Sequence, residues 1–304
     1  RNAGADLICS FAGDFTGPAL ILCPMSSCSK PASGARQGPF RANGAALLFT
    51  ILLCAIGVGG LGACSGTELS EPSVRVLGAA SLRDVLEDYG DAFLAKTGTR
   101  IEIVTGGSTL IANQLIAGAE ADLFLSAGVE EANRLDGASL LLPGTRCVVF
   151  RNELVVIRSR ADDQATAPAQ SLEELFGGDE RISLAHPEAV PAGRYAKLWL
   201  ERNNLWAKLR PRCVYALDVR AALAAVESGS LGLGIVYRTD AATSDLVTVV
   251  HGINPKDGPE VVYTGAVLQG SEAPELSRSF LDFLVQVNPE IAKGHGFRSA
   301  KGSE

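Results

Sequence analysis

Ser81 lies in "VLGAASLRDVLEDYG" (Val76 to Gly90), where a strand end packed with small residues runs into a helix. Leu82, Val85, Leu86, Tyr89 and Phe93 recur at helical spacing and make one apolar face. A helix start carries unpaired N–H groups and a partial positive charge. It can cap itself, and Ser81 with Asp84 three residues on resembles a capping box. It can also hold an anion through a hydroxyl and N–H groups. Three further helix starts are predicted, at Gly107 in "GGST", at Ala192 behind Pro191, and at Val219 behind a capping Asp218. Helix N-termini are ready anion sites, and two of these four come from each half of the chain. One dianion could therefore pin the halves together. A hydrolytic reading of Ser81 would need His186 and an aspartate. The chain has only three histidines, at 186, 251 and 295, and "GAASL" has Ala where a nucleophile elbow needs Gly before the serine. The expectation is a binding protein and not an enzyme.

Composition sets the frame for those residues. A chain of 304 residues, 47% hydrophobic and 20% charged, is globular and long enough for two domains. Its net charge of -7 opposes a nucleic-acid footprint and requires any anion to be held by local dipoles. The amino-terminal part differs in kind. Arg36 and Arg41 precede the apolar run "AALLFTILLCAIGVGGLGAC", which ends in small residues at Cys64. The ending "LGAC" resembles a bacterial lipobox, with lipid on Cys64; the alternative is an uncleaved membrane helix. Met25 is the only methionine, and a start there would give an n-region of normal length. Residues 1–63 are expected to be upstream sequence and signal peptide, and 64–73 an anchored linker. Of seven cysteines, processing would leave Cys64, Cys147 and Cys213. Outside the cytoplasm Cys147 and Cys213 could form a disulfide; two buried thiols are the plainer expectation.

From Val74 the chain alternates strands and helices, which favours parallel sheets. "RIEIVT" and "ADLFLSAG" read as strands followed by helices. "CVVFRNELVVIRS" is a long extended run, able to cross between domains. A polar linker, "RADDQATAPAQ", leads to a second alternating set: "SLEELF", "RISLAH", "PAGRYAKLWLERN", "CVYALDVRAALAAVESG" and "LGLGIVYRTDA". "DLVTVVHGI" and "EVVYTGAVL" are expected to return to the first domain, with C-terminal helices packing on it. The expected architecture is two α/β lobes, residues 74–150 plus 256–300 and residues 151–255, each a mainly parallel sheet flanked by helices. Two crossover strands join them, and the cleft between them is a natural ligand site.

The blocks "AASLRDVLEDY", "GGSTLIANQLIAGAEADLFLSA", "NELVVI", "HPEAVPAGRYAKLWL", "DVRAALAAVESGSLGLGIVY" and "HGF" resemble, in order, the periplasmic molybdate-binding proteins of ABC importers, the ModA family. The resemblance covers Val74 to Phe297. It implies a type II two-lobe solute-binding protein that holds a tetrahedral oxyanion, molybdate or tungstate, with neutral donors and no cofactor. Carried over by position, it implies Ser81 as a hydroxyl and N–H donor, Ala192 and Val219 as backbone donors, and Tyr237 as the phenol that closes the site. Where many members have a second serine this chain has Gly107, so either Gly107 or Ser108 supplies that donor. The resemblance also implies a monomer that delivers its ligand to a membrane permease at the outer face of the cytoplasmic membrane or in the periplasm. Sulfate is the alternative ligand, being another tetrahedral dianion.

Overall fold

A computed structural model describes residues 72–161, 171–287 and 289–300. The predicted signal segment and Cys64 lie outside the described residues. β1 (Ser73–Ala79) leaves its sheet through one 3-10 turn, Ala80–Leu82, into α1 (Arg83–Thr97). There follow β2 (Arg100–Gly106), α2 (Ser108–Ile116), β3 (Leu123–Ser126) and α3 (Val129–Gly137). β4 (Cys147–Asn152) and β5 (Leu154–Ser159) are separated by Glu153 alone. The second alternating set is α4 (Leu172–Leu175), β6 (Ile182–Ala185), α5 (Pro191–Arg202), α6 (Trp206–Leu209), β7 (Cys213–Ala216), α7 (Val219–Glu227), β8 (Leu233–Tyr237), α8 (Arg238–Ala242) and β9 (Val247–Gly252). The chain closes with β10 (Val261–Val267), α9 (Pro274–Asp282), a π-helical turn, α10 (Pro289–Gly294) and β11 (Arg298–Ser299).

Two sheets result. The first has the order β11-β4-β10-β3-β1-β2, the second β7-β6-β8-β5-β9. Each is mixed. In the first, β1 runs parallel to β2 and β3, while β10 lies antiparallel between β3 and β4. In the second, β6 runs parallel to β7 and β8, and β5 lies antiparallel between β8 and β9. The extended run around Glu153 thus ends one sheet and begins the other. One expectation is corrected. "VTVVHG" does not return to the first lobe but pairs with β5, and the return comes at β10. Every residue of β5 is buried, so its free edge has to be covered, and β9 covers it.

The apolar stripe read from the sequence closes the first lobe. Val85, Leu86, Tyr89 and Phe93 of α1 are buried, and the helix stops at Gly98, whose φ of 73° suits glycine. Phe93 packs on Phe280 and Phe283, with ring centroids 5.1 and 5.3 Å apart, so the C-terminal helices pin α1. Phe297 of "HGF" sits 5.1 Å from Phe150 and 5.4 Å from Tyr263. Each such fully buried side chain contributes roughly 1.5–3 kcal/mol. The second lobe builds its core around Trp199, which packs against Phe176. Cys147 and Cys213 lie in different sheets, half-buried and unbridged, and burial pushes both thiols up to about 11.

Candidate functional site

The parallel strands of both sheets end on one cavity. β1 delivers Ser81, β2 delivers Gly107 and Ser108, and β3 delivers Ala127 from the first lobe. β6 leads to Pro191 and Ala192, β7 to Asp218 and Val219, and β8 ends in Tyr237. The carboxyl ends of parallel strands, where helices begin, are where open α/β sheets gather ligand groups. The cavity has room for little more than one water-sized sphere, about 10 Å³, far below the 300–1,000 Å³ usual for drug-sized ligands.

The backbone supply follows from helix geometry. In α2 the first intrahelical bond runs from the Ile111 N–H to the Gly107 carbonyl, leaving the Ser108, Thr109 and Leu110 N–H groups ahead of the ladder. In α5 it runs from Arg194 to Val190; Pro191 has no N–H, so Ala192 is the first donor that helix offers. In α7 the Asp218 carboxylate accepts from the Ala221 N–H at 2.9 Å, leaving Val219 and Arg220 free of the cap. Asp218 is therefore the cap the sequence predicts, and it carries the only charged side chain on the lining. Gly193 permits the close seat of α5 on β6, because a Cβ there would fall 2.1 Å from the Ala185 carbonyl oxygen.

Ser81 is not a cap. The 3-10 turn puts Ala79 at the cap position and starts α1 only at Arg83, so the serine stands inside the turn. Its hydroxyl lies 2.9 Å from the Tyr263 hydroxyl, and both side chains are buried. Asp84 makes no capping box either; it pairs with Arg220 of the other lobe at 2.5 Å. The capping-box reading fails because three residues of tight turn, Ala80–Leu82, intervene between strand and helix.

Ser108 opens α2 with only 2% of its surface exposed, and its hydroxyl oxygen accepts the Ala127 N–H at 3.2 Å. Its own proton remains available to the cavity. A Cβ on Gly107 would stand 3.1 Å from the Leu217 carbonyl oxygen, so at that position the two lobes meet backbone to backbone. The hydroxyl of this loop is accordingly that of Ser108. Ser108→Ala is expected to weaken oxyanion binding about tenfold, the low end of what one hydrogen bond to a charged oxygen contributes. Titration calorimetry decides it: an unchanged dissociation constant would leave only backbone donors in this loop.

Tyr237 ends β8, is 1% exposed, and its hydroxyl has no hydrogen-bond partner among the described residues. Burial pushes the phenol well above its ordinary range, so it stays protonated and can donate.

The lobes are latched on both sides of the cavity by arginines one or two residues beyond the helix-start donors. Arg194 reaches from α5 to Glu130 and the buried Glu131 of α3, at 2.9 and 2.5 Å. Arg220 joins Asp84 of α1 to the buried Asp240 of α8, at 2.5 Å to each. Burial pushes the Asp240 carboxyl up to about 7 against the pull of Arg220. These cations serve the lobe interface and do not line the cavity. The hydrolytic alternative finds no support. His186 accepts from the Glu188 N–H, His251 stacks near Trp199, and His295 pairs with Asp88, while Ser81 is held by Tyr263. Sequence reasoning missed Tyr263, Asn152 and the carboxylate partners of the arginines, all distant in the chain from what they touch.

Comparison with known proteins follows the same lines. Residues 74–298 match the family model described as bacterial extracellular solute-binding protein. The molybdate-binding protein ModA of Escherichia coli is 34% identical over 241 residues, covering 77% of this chain and 93% of that protein. The solved Azotobacter vinelandii periplasmic molybdate-binding protein superposes with a TM-score of 0.65 at 23% identity, covering 74% of this chain and 98% of that one. The sulfate-binding protein SubI from Mycobacterium tuberculosis gives a TM-score of 0.66 at 14% identity, over 76% of this chain and 88% of its own. At those identities the two structures speak to the fold alone.

Proposed function

Because this chain belongs to the ModA family of bacterial extracellular solute-binding proteins, we propose that it captures molybdate outside the cytoplasm and delivers it to the membrane permease of an ABC importer. The observation that carries the reading is the cavity. Helix-start N–H groups and the hydroxyls of Ser81, Ser108 and Tyr237 converge from both lobes on one small cavity, with no cationic side chain on its lining. Such a site holds a fully ionised anion by many fixed dipoles, each oxygen taking neutral donors. A ligand touching both lobes at once also favours their closed arrangement. Tungstate has the same shape and charge and is taken by the same donors. Phosphate is disfavoured because its remaining proton wants an acceptor, and the one carboxylate on the lining is engaged as a cap. Each of these donors comes from one chain, so a single copy is enough to form the site. Calorimetric titration with molybdate, tungstate, sulfate and phosphate tests the assignment. Tight one-to-one binding of molybdate with weak sulfate binding is expected; tighter sulfate binding would move the protein to the sulfate carriers.

Anchoring is the second part of the proposal, and it rests on the sequence "LGAC". Lipid on Cys64 would keep the carrier at the outer face of the membrane, close to its permease. Cys64→Ala is expected to shift the protein from the membrane fraction to the soluble one. If the variant stays membrane-bound with its leader uncut, the segment is an uncleaved helix.

A further inference from the structure

Behind Ser81 lies a chain of hydrogen bonds whose direction can be assigned. The Asn152 side-chain oxygen accepts the Glu153 N–H at 2.8 Å, which fixes which end of the amide is which. Its Nδ2 then faces two oxygens, Thr239 Oγ1 at 2.8 Å and the Tyr263 hydroxyl at 3.2 Å, and donates one hydrogen to each. The Tyr263 oxygen is thereby an acceptor toward Asn152. Its own proton has Ser81 Oγ, 2.9 Å away, as its partner. The arrangement that leaves no buried proton unmet among these groups has Ser81 Oγ accepting it, with the serine's own hydrogen left for the cavity. Asn152, Thr239, Tyr263 and Ser81 are all buried, so no bulk water competes for these directions.

We infer that Tyr263 is a positioning residue for the ligand: it fixes Ser81 as a donor toward the cavity, and Asn152 in turn fixes the direction of Tyr263. The inference rests on reading the cavity as an oxyanion site. It adds two residues that do not line that cavity. Their placement also ties the donor to the joint between the lobes. Asn152 is the last residue of β4, beside Glu153 where the chain crosses, and its two donated bonds go to β10 of one lobe and α8 of the other. A hydroxyl held in its donating orientation before the anion arrives loses less rotational freedom on binding. Burial keeps Tyr263 protonated well above the ordinary phenol range, so the direction of the relay does not change with working pH.

The test uses molybdate and four proteins: wild type, Tyr263→Phe, Ser81→Ala and the double variant, each checked first by its melting curve. Tyr263→Phe keeps the ring and its packing on Phe297 and removes only the hydroxyl. It is expected to raise the dissociation constant about three- to tenfold, the range of one neutral hydrogen bond. In the Ser81→Ala background the same change should have no further effect, because the relay acts only through Ser81. Asn152→Asp is a second route. A carboxylate cannot donate to Tyr263, so it would turn the phenol proton away from Ser81 and weaken binding as well, again only while Ser81 is present. An unchanged dissociation constant in Tyr263→Phe, or an equal loss with and without Ser81, would overturn the inference. Failure of the wild type to bind molybdate would instead overturn the functional reading beneath it.

Discussion

Ser81→Ala is expected to weaken molybdate binding by roughly 10- to 150-fold, because a hydrogen bond to a charged group contributes about 1.5–3 kcal/mol. The hydroxyl is buried at the end of β1, in the turn that opens on the cavity, and in the relay inferred above it accepts from Tyr263. What it has left to give is a proton, and an oxyanion oxygen is the natural recipient. The structure also removes a confusion that the sequence leaves open. A serine at an N-cap would cost about 1 kcal/mol of stability when replaced, whatever it did for the ligand. Ser81 makes no such cap, so no helix is uncapped by the change. The empty variant should still melt lower, since the Tyr263 proton loses its acceptor and a buried unsatisfied donor costs about 1–3 kcal/mol. Affinity is therefore the deciding measurement. A dissociation constant equal to wild type would return Ser81 to a purely structural role.

What the sequence reveals of this site is what short-range pattern can encode. The four helix starts are visible because each is announced within a few residues, by small residues at a strand end, by Pro191 before Ala192, or by Asp218 before Val219. Asp218 proves to be the cap its position suggests, since a carboxylate one residue ahead of α7 reaches the Ala221 N–H without help from the fold. Ser81 shows where that logic stops. A serine between a strand and an apolar-periodic stretch looks the same whether the helix begins at once or after a 3-10 turn, and only the second case frees its hydroxyl. Tyr263 and Asn152 carry no local mark at all. Their partners are 182 and 111 residues away, and in the sequence they are one strand tyrosine and one asparagine in an extended run. The arginine latches are hidden for the same reason, with Arg220 and Asp84 separated by 136 residues. The strand "VTVVHG" misleads because its pattern fits either sheet, and in the fold it pairs with the edge of β5 that β8 leaves unpaired.

Tyr237→Phe should leave the stability of the ligand-free protein nearly unchanged and weaken binding. The Tyr237 hydroxyl is buried at the end of β8 and has no protein partner among the described residues. Phenylalanine removes the hydroxyl without breaking a hydrogen bond to the described residues and keeps the ring, which packs 5.8 Å from that of Tyr263. The ligand-free variant should therefore melt close to the wild-type temperature. Binding should respond. The phenol is held protonated by burial and can give its hydrogen to an anion oxygen, so its loss should weaken molybdate binding by about 10- to 150-fold. Stabilisation by ligand follows RT ln(1 + [L]/Kd), so the rise in melting temperature at saturating molybdate should shrink in the variant. Melting curves with and without molybdate read both effects from one pair of proteins. A tyrosine that serves only the core would give the reverse, a lower melting temperature and an unchanged dissociation constant. Lost affinity with stability kept is expected only if the hydroxyl serves the ligand and not the core.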